Sequence, residues 1–152
     1  MFIRFVLVIS FLFSASAMAL TPTDKDIERW VAAWDSLVKP GAYDFVPKNL
    51  SFETMASREF QEKVKEAEQA INPSLEGKPI ELVGYMVPLD MAQDKVSTFL
   101  LVPSAGQCVH VPPPPVNQTV LVDASKSPVE AKDLYAPIVI NGTMSIKETK
   151  SE

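Results

Sequence analysis

The chain contains 152 residues with a formal net charge of −5, and it has a single cysteine and a single histidine. An acidic chain is poorly suited to a polyanion, so we expect no nucleic-acid partner. The length fits one domain with one hydrophobic core, and a lone cysteine cannot form an internal disulfide. The sequence therefore predicts a single domain whose thiol is free, bridged to another molecule or bound to a metal.

The first 19 residues have the pattern of a secretory signal peptide. Arg4 precedes an apolar run from Phe5 to Phe13, and small residues follow up to an A-x-A sequence that ends at Ala19. The apolar run is shorter than the ~20 residues that a membrane-spanning helix needs. We expect cleavage after Ala19 and a periplasmic protein with no stable membrane insertion afterwards.

Residues 20–74 have helical periodicity. A first helix is predicted from Thr23 to Leu37, with an apolar stripe at 3.6-residue spacing formed by Ile27, Trp30, Val31, Trp34 and Leu37. A second helix is predicted from about Ser57 to Ile71, with charged residues on its outer face. We interpret the two tryptophans of the first helix as core residues or docking anchors.

From residue 75 onward the hydrophobic period changes to two, which predicts strands at 79–89, 97–103 and 116–123. The first two form a hairpin around a polar turn at 90–95, with a bulge or bend expected at Gly84. Residues 136–146 supply one or two further strands, with a possible turn at Asn141-Gly142. The predicted fold is α+β. Two N-terminal helices pack on a small, mainly antiparallel β-barrel region (75–152) of the same domain, and the phrase from Leu75 to Tyr85 resembles the opening strand of OB-like barrels.

The only cysteine and histidine lie in the segment G-Q-C-V-H-V-P-P-P-P-V-N-Q, residues 106–118. If this backbone is extended, Cys108 and His110 point to one face with about 6.6 Å between their Cα atoms. Thiolate and imidazole both ligate zinc, and copper(I) is an alternative metal. The following prolines favour a stiff polyproline II arm. This spacing predicts a metal site formed by Cys108 and His110.

A closed structural zinc site needs four ligands, and this chain offers two nitrogen or sulfur donors. Further ligands must be water, a second molecule or carboxylates such as those of Asp90, Asp94 and Asp123. An open site of this kind suits the transient holding or transfer of a metal. It suits hydrolysis poorly because no general base is identifiable, and we do not expect an enzyme.

The residues leave other roles open for this segment. Cys108 and His110 can instead be a buried apolar side chain and a hydrogen-bonded histidine in a structural turn. A contact surface for a small molecule, peptide or partner protein can be formed by Pro112, Pro113, Pro114, Pro115, Asn117 and Gln118. Backbone hydrogen bonding is the alternative role for the two amides. A thiol oxidoreductase would lack a resolving cysteine.

Three phrases together resemble the signature of an uncharacterised family of exported bacterial proteins, a domain of unknown function. They are Gly84-Tyr85-x-x-Pro88-Leu89, Phe99-Leu100-Leu101-Val102-Pro103, and Gly106-x-Cys108-x-His110-x-Pro112-Pro113-Pro114-Pro115-x-Asn117-Gln118. The resemblance implies genes beside ABC transporters of the lipoprotein-release or macrolide-export type, in operons switched on by zinc starvation. It implies an accessory protein that works with a transporter component or a second periplasmic protein. A homodimer is also compatible with the sequence.

Overall fold

The computed structural model describes residues 22–105, 114–131 and 134–146. The predicted signal peptide, residues 1–19, lies outside these ranges. No helix within the described ranges combines the length and the apolar character needed to cross a membrane.

Three helices precede the sheet: α1 (Asp24–Asp35), α2 (Phe52–Ala56) and α3 (Arg58–Gln69). The helices predicted at 23–37 and 57–71 are both present, and each ends two residues earlier than expected. A capping box between Thr23 and Asp26 starts α1. The short α2 was not predicted, because five residues are too few to show a helical hydrophobic period.

The strands form a curled, half-barrel antiparallel sheet with the order β4-β3-β1-β6. The elements are β1 (Pro79–Pro88), β2 (Lys95–Val96), β3 (Thr98–Val102), β4 (Val120–Asp123), β5 (Val129–Glu130) and β6 (Ile138–Thr143). The short strands β2 and β5 pair separately. The predicted α+β class and the antiparallel pairing of the first two long strands are confirmed.

The central strand β1 changes its partner at Gly84. Residues Pro79–Gly84 pair with β6, and residues Tyr85–Pro88 pair with β3. A Cβ atom on Gly84 would lie 2.5 Å from the carbonyl oxygen of Val102 and 3.1 Å from Cζ2 of Trp34. Because no side chain fits at such distances, glycine is what lets β3 and α1 approach β1 here.

Two elements differ from the sequence-based expectation. The strand predicted at 116–123 begins with a 3₁₀ turn, Val116–Gln118, and only its second half is β4. The possible turn at Asn141-Gly142 is wrong, because both residues pair with β1 inside β6 and Gly142 does not adopt the positive φ of a type I′ turn. Pairing along the long β1 outweighs the local turn preference.

The core lies between the end of α1 and the sheet. Its buried cluster consists of Trp34, Leu37, Leu82, Met86, Val96, Phe99 and Leu101. Phe99 and Leu101 alternate on one face of β3 and are completely buried. The apolar stripe of α1 is therefore buried only at its C-terminal end, while Ile27 and Val31 remain 46% and 54% exposed.

Candidate functional site

The predicted metal ligands Cys108 and His110 lie outside the described residues, as do Pro112 and Pro113. We call residues 106–113 the Cys-His segment. The chain is described as far as residue 105, before this segment, and again from Pro114, after it. Among the groups of histidine, cysteine, aspartate and glutamate within the described ranges, no set of three or more is placed to hold a metal ion.

Asn117, directly after the proline run, is a buried amide that holds the end of α3. Only 2% of this residue is exposed. Its Nδ2 donates to the carbonyl oxygen of Ala67 at 2.8 Å and to that of Ala70 at 3.3 Å. Each of these carbonyls also accepts one backbone N–H, from Ala70 and Lys39 respectively, so the Asn117 amide adds a second donor to each at the end of α3. The Oδ1 atom of Asn117 has no hydrogen-bond partner in the described part of the chain.

Gln118 makes the equivalent contact with α1. Its Nε2 donates to the carbonyl oxygen of Trp34 at 3.2 Å and to that of Asn117 at 3.0 Å. Consecutive amides thus bind the C-terminal turns of two different helices. The alternative role considered for Asn117 and Gln118 was backbone hydrogen bonding at the start of a strand. Both amides do bind backbone carbonyls, but at the ends of two helices.

The start of the same turn is also fixed. The carbonyl oxygen of Pro115 accepts from the backbone N–H of Gln118 at 2.9 Å and from Oγ1 of Thr119 at 3.1 Å. The last two prolines of the run, Pro114 and Pro115, are half-buried. The exit of the Cys-His segment is therefore seated in the domain through both its backbone and its side chains.

Trp34 connects this turn to the centre of the sheet. Its Nε1 donates to the carbonyl oxygen of Val83 at 2.8 Å, and its ring packs against Gly84. Trp34 is 4% exposed, so both its ring and its polar atom are accommodated within the protein. This confirms the interpretation of Trp34 as a core residue.

A groove of about 410 Å³ runs between α1 and β1, and we call it the α1–β1 groove. Its lining is mostly aromatic, aliphatic and proline side chains: Pro22, Ile27, Trp30, Val31, Trp34, Asp35, Val83, Gly84, Tyr85, Pro103, Gln118 and Pro137. Pro103 follows β3 before the Cys-His segment, and Gln118 lies after it. The chain therefore leaves for this segment and returns from it beside the same groove.

The sequence did not predict this groove. The apolar stripe on α1 was recognised, but a helical period does not show which part of the stripe packs on the sheet and which part stays exposed. The glycine at position 84 was the available signal, because a glycine inside a strand often marks a close approach of another element. Neither Tyr85 nor Pro137 indicated a groove in the sequence, since only the fold brings them to the same place.

Two of the suggested carboxylate donors are engaged in local turns. Asp90 Oδ1 accepts from the backbone N–H groups of Ser97 and Thr98, both at 2.9 Å, and its Oδ2 accepts from the Ser97 hydroxyl at 2.8 Å. These bonds, the Ser97 hydroxyl first, lower the pKa of Asp90 to about 2. Asp123 Oδ1 accepts from the backbone N–H of Ser125 at 3.0 Å. The hydrogen bonds with Ser125 also lower the pKa of Asp123.

Comparison with known proteins places the chain in a family. The family model described as protein of unknown function DUF3299 matches residues 18–152, and the chain belongs to the DUF3299 family. It is similar to a DUF3299 family protein of Pseudomonas aeruginosa PAO1 of known crystal structure, with 33% sequence identity and a TM-score of 0.54. The similarity covers 78% of this chain and 81% of that protein. No match was found among curated proteins.

Proposed function

We propose that this protein is a periplasmic accessory protein of a metal-homeostasis ABC transport system, and that it binds or transfers a metal through Cys108 and His110. Zinc is the first metal to test, and copper(I) is the alternative. The proposal starts from the chemistry of the sequence: the chain's sole thiol and sole imidazole are two positions apart. Both side chains are ligands for these metals.

One structural observation carries the proposal: the hydrogen bonds of Asn117 and Gln118 to the ends of α3 and α1. A metal site built on a segment that is free at both ends must order that segment on binding. Anchoring the exit of the segment to two helices, with β3 leading to its entry, lowers this ordering cost. The arrangement is therefore suited to presenting two ligands without a large preformed cage.

The number of ligands argues for transfer over storage. Two protein ligands leave coordination positions for water, a carboxylate or a second protein. The binding of Asp90 and Asp123 to their own turns favours water or a partner protein for these positions. A site that a partner completes can release its metal when that partner leaves. We propose no catalytic activity.

Export and the link to a transporter rest on the sequence. The A-x-A pattern ending at Ala19 supports periplasmic localisation. The resemblance described above supports an ABC transporter component or a second periplasmic protein as the partner. We further propose that the half-barrel is OB-like, which is supported by the division of β1 between β6 and β3.

A second candidate function is a partner-docking or non-metal binding module of an envelope transporter. The α1–β1 groove favours it, because apolar side chains on α1 stay exposed beside a recess of about 410 Å³. This function and metal binding are separable, since one uses the groove and the other uses Cys108 and His110.

Calorimetric titration of the reduced mature protein with zinc, and separately with copper(I), tests the metal site. Cys108→Ala and His110→Ala should each abolish most of the affinity and leave the fold intact. Ser104→Ala is the matched control, because Ser104 is exposed and lies just before the segment. The site is refuted if the unaltered protein binds neither metal, or if both ligand variants bind as well as it does.

A further inference from the structure

The mostly apolar lining of the α1–β1 groove includes a tryptophan with a polar N–H group. Trp30 is half-buried and lines the groove, and its indole N–H has no hydrogen-bond partner among the described residues. Trp34, one helical turn further along, donates its indole N–H to the carbonyl oxygen of Val83. The two neighbouring tryptophans therefore differ: one completes the core, and the other keeps a donor available for an occupant of the groove.

The charge in the lining of the groove is negative. Asp35 is the only charged side chain among the described residues that line it. Asp35 is exposed and makes no ion pair within the described part of the chain. Arg29 of the same helix is already paired, with Asp26 at 3.6 Å and with Glu81 at 3.5 Å. An occupant with a cation near the Asp35 end would be electrostatically complementary.

These features together indicate the backbone conformation of the occupant as well as its charge. In an α-helical ligand most carbonyl groups are bonded internally, so a helix makes little use of an indole donor in the groove wall. A polyproline II segment has no internal hydrogen bonds, and its carbonyl oxygens need external donors. Grooves lined by aromatic side chains are the usual docking sites for such segments, because flat rings pack on proline rings.

We infer that the α1–β1 groove binds an extended, proline-rich segment of a partner protein that carries a lysine or arginine near Asp35. The indole N–H of Trp30 donates to a ligand carbonyl, and the ligand's prolines pack on the rings of Trp30 and Tyr85. This inference rests on the docking function proposed as the second candidate. It is independent of the metal site, so failure of the metal titration leaves it unaffected.

The proline run of a second copy of this chain is a less suitable occupant. Between Val96 and Ser125 the sequence contains no lysine or arginine, so a cation to match Asp35 is absent near Pro115. In addition, Asn117 and Gln118 tie the end of that run to its own domain. Self-association through this run is therefore an outcome that the experiment must distinguish.

The test is fluorescence anisotropy with four labelled peptides: oligoproline alone, oligoproline preceded by arginine, oligoproline preceded by glutamate, and an amphipathic helical peptide. We expect saturable binding of the arginine peptide with a Kd below about 1 mM, and weaker binding of the glutamate peptide. Trp30→Phe keeps a ring and removes the N–H, and should weaken binding about fivefold. Asp35→Asn should weaken the binding of the arginine peptide about two- to fivefold and leave the affinity for oligoproline alone unchanged.

Glu53→Gln is the matched control for removal of an acidic side chain, because Glu53 is exposed on α2 and does not line the groove. Circular dichroism and thermal melting establish that each variant is folded. The inference is overturned if no oligoproline binds the unaltered protein, if Trp30→Phe and Asp35→Asn bind like it, or if the helical peptide binds more tightly. It is likewise overturned if sedimentation shows a dimer that Trp30→Phe disrupts. If the oligoproline peptides do not bind and the helical peptide binds tightly, the proline-rich occupant is rejected. The docking function of the groove would then still stand.

Discussion

Gln118 and Trp34 are separated by 84 positions in sequence, and a hydrogen bond joins the Gln118 amide to the Trp34 carbonyl oxygen over 3.2 Å. The same tryptophan donates its indole N–H to Val83 in the middle of β1. The turn after the proline run, the end of α1 and the central strand are thus connected through one residue. A substitution that displaces any one of these three elements should therefore displace the other two.

Replacing Asn117 should destabilise the domain. Asn117→Ala removes both side-chain bonds to the end of α3, although each carbonyl keeps one backbone donor. At about 0.5 to 1.5 kcal/mol for each lost bond, the free energy of unfolding should fall by about 1 to 3 kcal/mol. Asn141→Ala is the matched control, since Asn141 is exposed on β6. Urea denaturation followed by circular dichroism measures both. Equal stability of the two variants would contradict the helix-anchoring role of Asn117.

The two sheet glycines should respond very differently to alanine. A methyl group on Gly84 meets a backbone oxygen at 2.5 Å, so Gly84→Ala should cost at least about 2 kcal/mol or prevent folding. A methyl group on Gly142 meets nothing within 4 Å, so Gly142→Ala should change stability by less than about 0.5 kcal/mol. Thermal melting of the pair checks this, and a Gly84→Ala protein as stable as Gly142→Ala would refute the close approach of β3 and α1.

The Asp90 carboxylate should make the stability of the folded protein depend on pH in the acidic range. Its pKa is lowered from 3.8 to about 2, mainly by the Ser97 hydroxyl and the backbone N–H groups of Ser97 and Thr98. A lowered pKa in the folded state means that the stabilisation is complete above about pH 3.8 and is lost as the pH falls through about 2. Asp90→Asn should therefore be less stable than the unaltered protein at pH 7 and should lose less stability on acidification between these values.

The melting temperatures of both proteins at pH 7, pH 4 and pH 2.5 give the comparison. Asp44→Asn is a suitable control, because Asp44 is also an exposed loop carboxylate. Parallel pH profiles for the unaltered protein and Asp90→Asn would rule out the Asp90 contribution.

Processing of the N-terminus should remove residues 1–19. The expected cleavage follows the A-x-A pattern, so intact mass spectrometry of protein recovered from the cell envelope should show Leu20 as the first residue. Changing Ala17 and Ala19 to bulkier residues should cause the precursor to accumulate. Retention of the full apolar segment in a membrane fraction would contradict this prediction.

The sequence predicts the local secondary structure of this fold well and its long-range contacts poorly. The stripe from Ile27 to Leu37 predicted α1, and β-branched runs predicted β1 and β3, because hydrophobic period is set by neighbouring residues. Pairing along β1 kept Asn141-Gly142 in a strand, which the dipeptide alone does not reveal. Likewise, Asn117 and Gln118 were recognised as polar residues after a proline run. Their contacts with helix ends depend on residues about 50 and 84 positions away.

X-ray absorption spectroscopy of the zinc-loaded mature protein tests the central claim most directly, because it identifies the atoms bound to the metal. The account predicts one sulfur ligand at about 2.3 Å and one imidazole nitrogen at about 2.0 to 2.1 Å, with oxygen or nitrogen in the remaining positions. Cys108→Ser should remove the sulfur signal, and His110→Ala should remove the imidazole signal. A protein that takes up no zinc, or a zinc shell that contains no sulfur, would contradict the claim that Cys108 and His110 form a metal site.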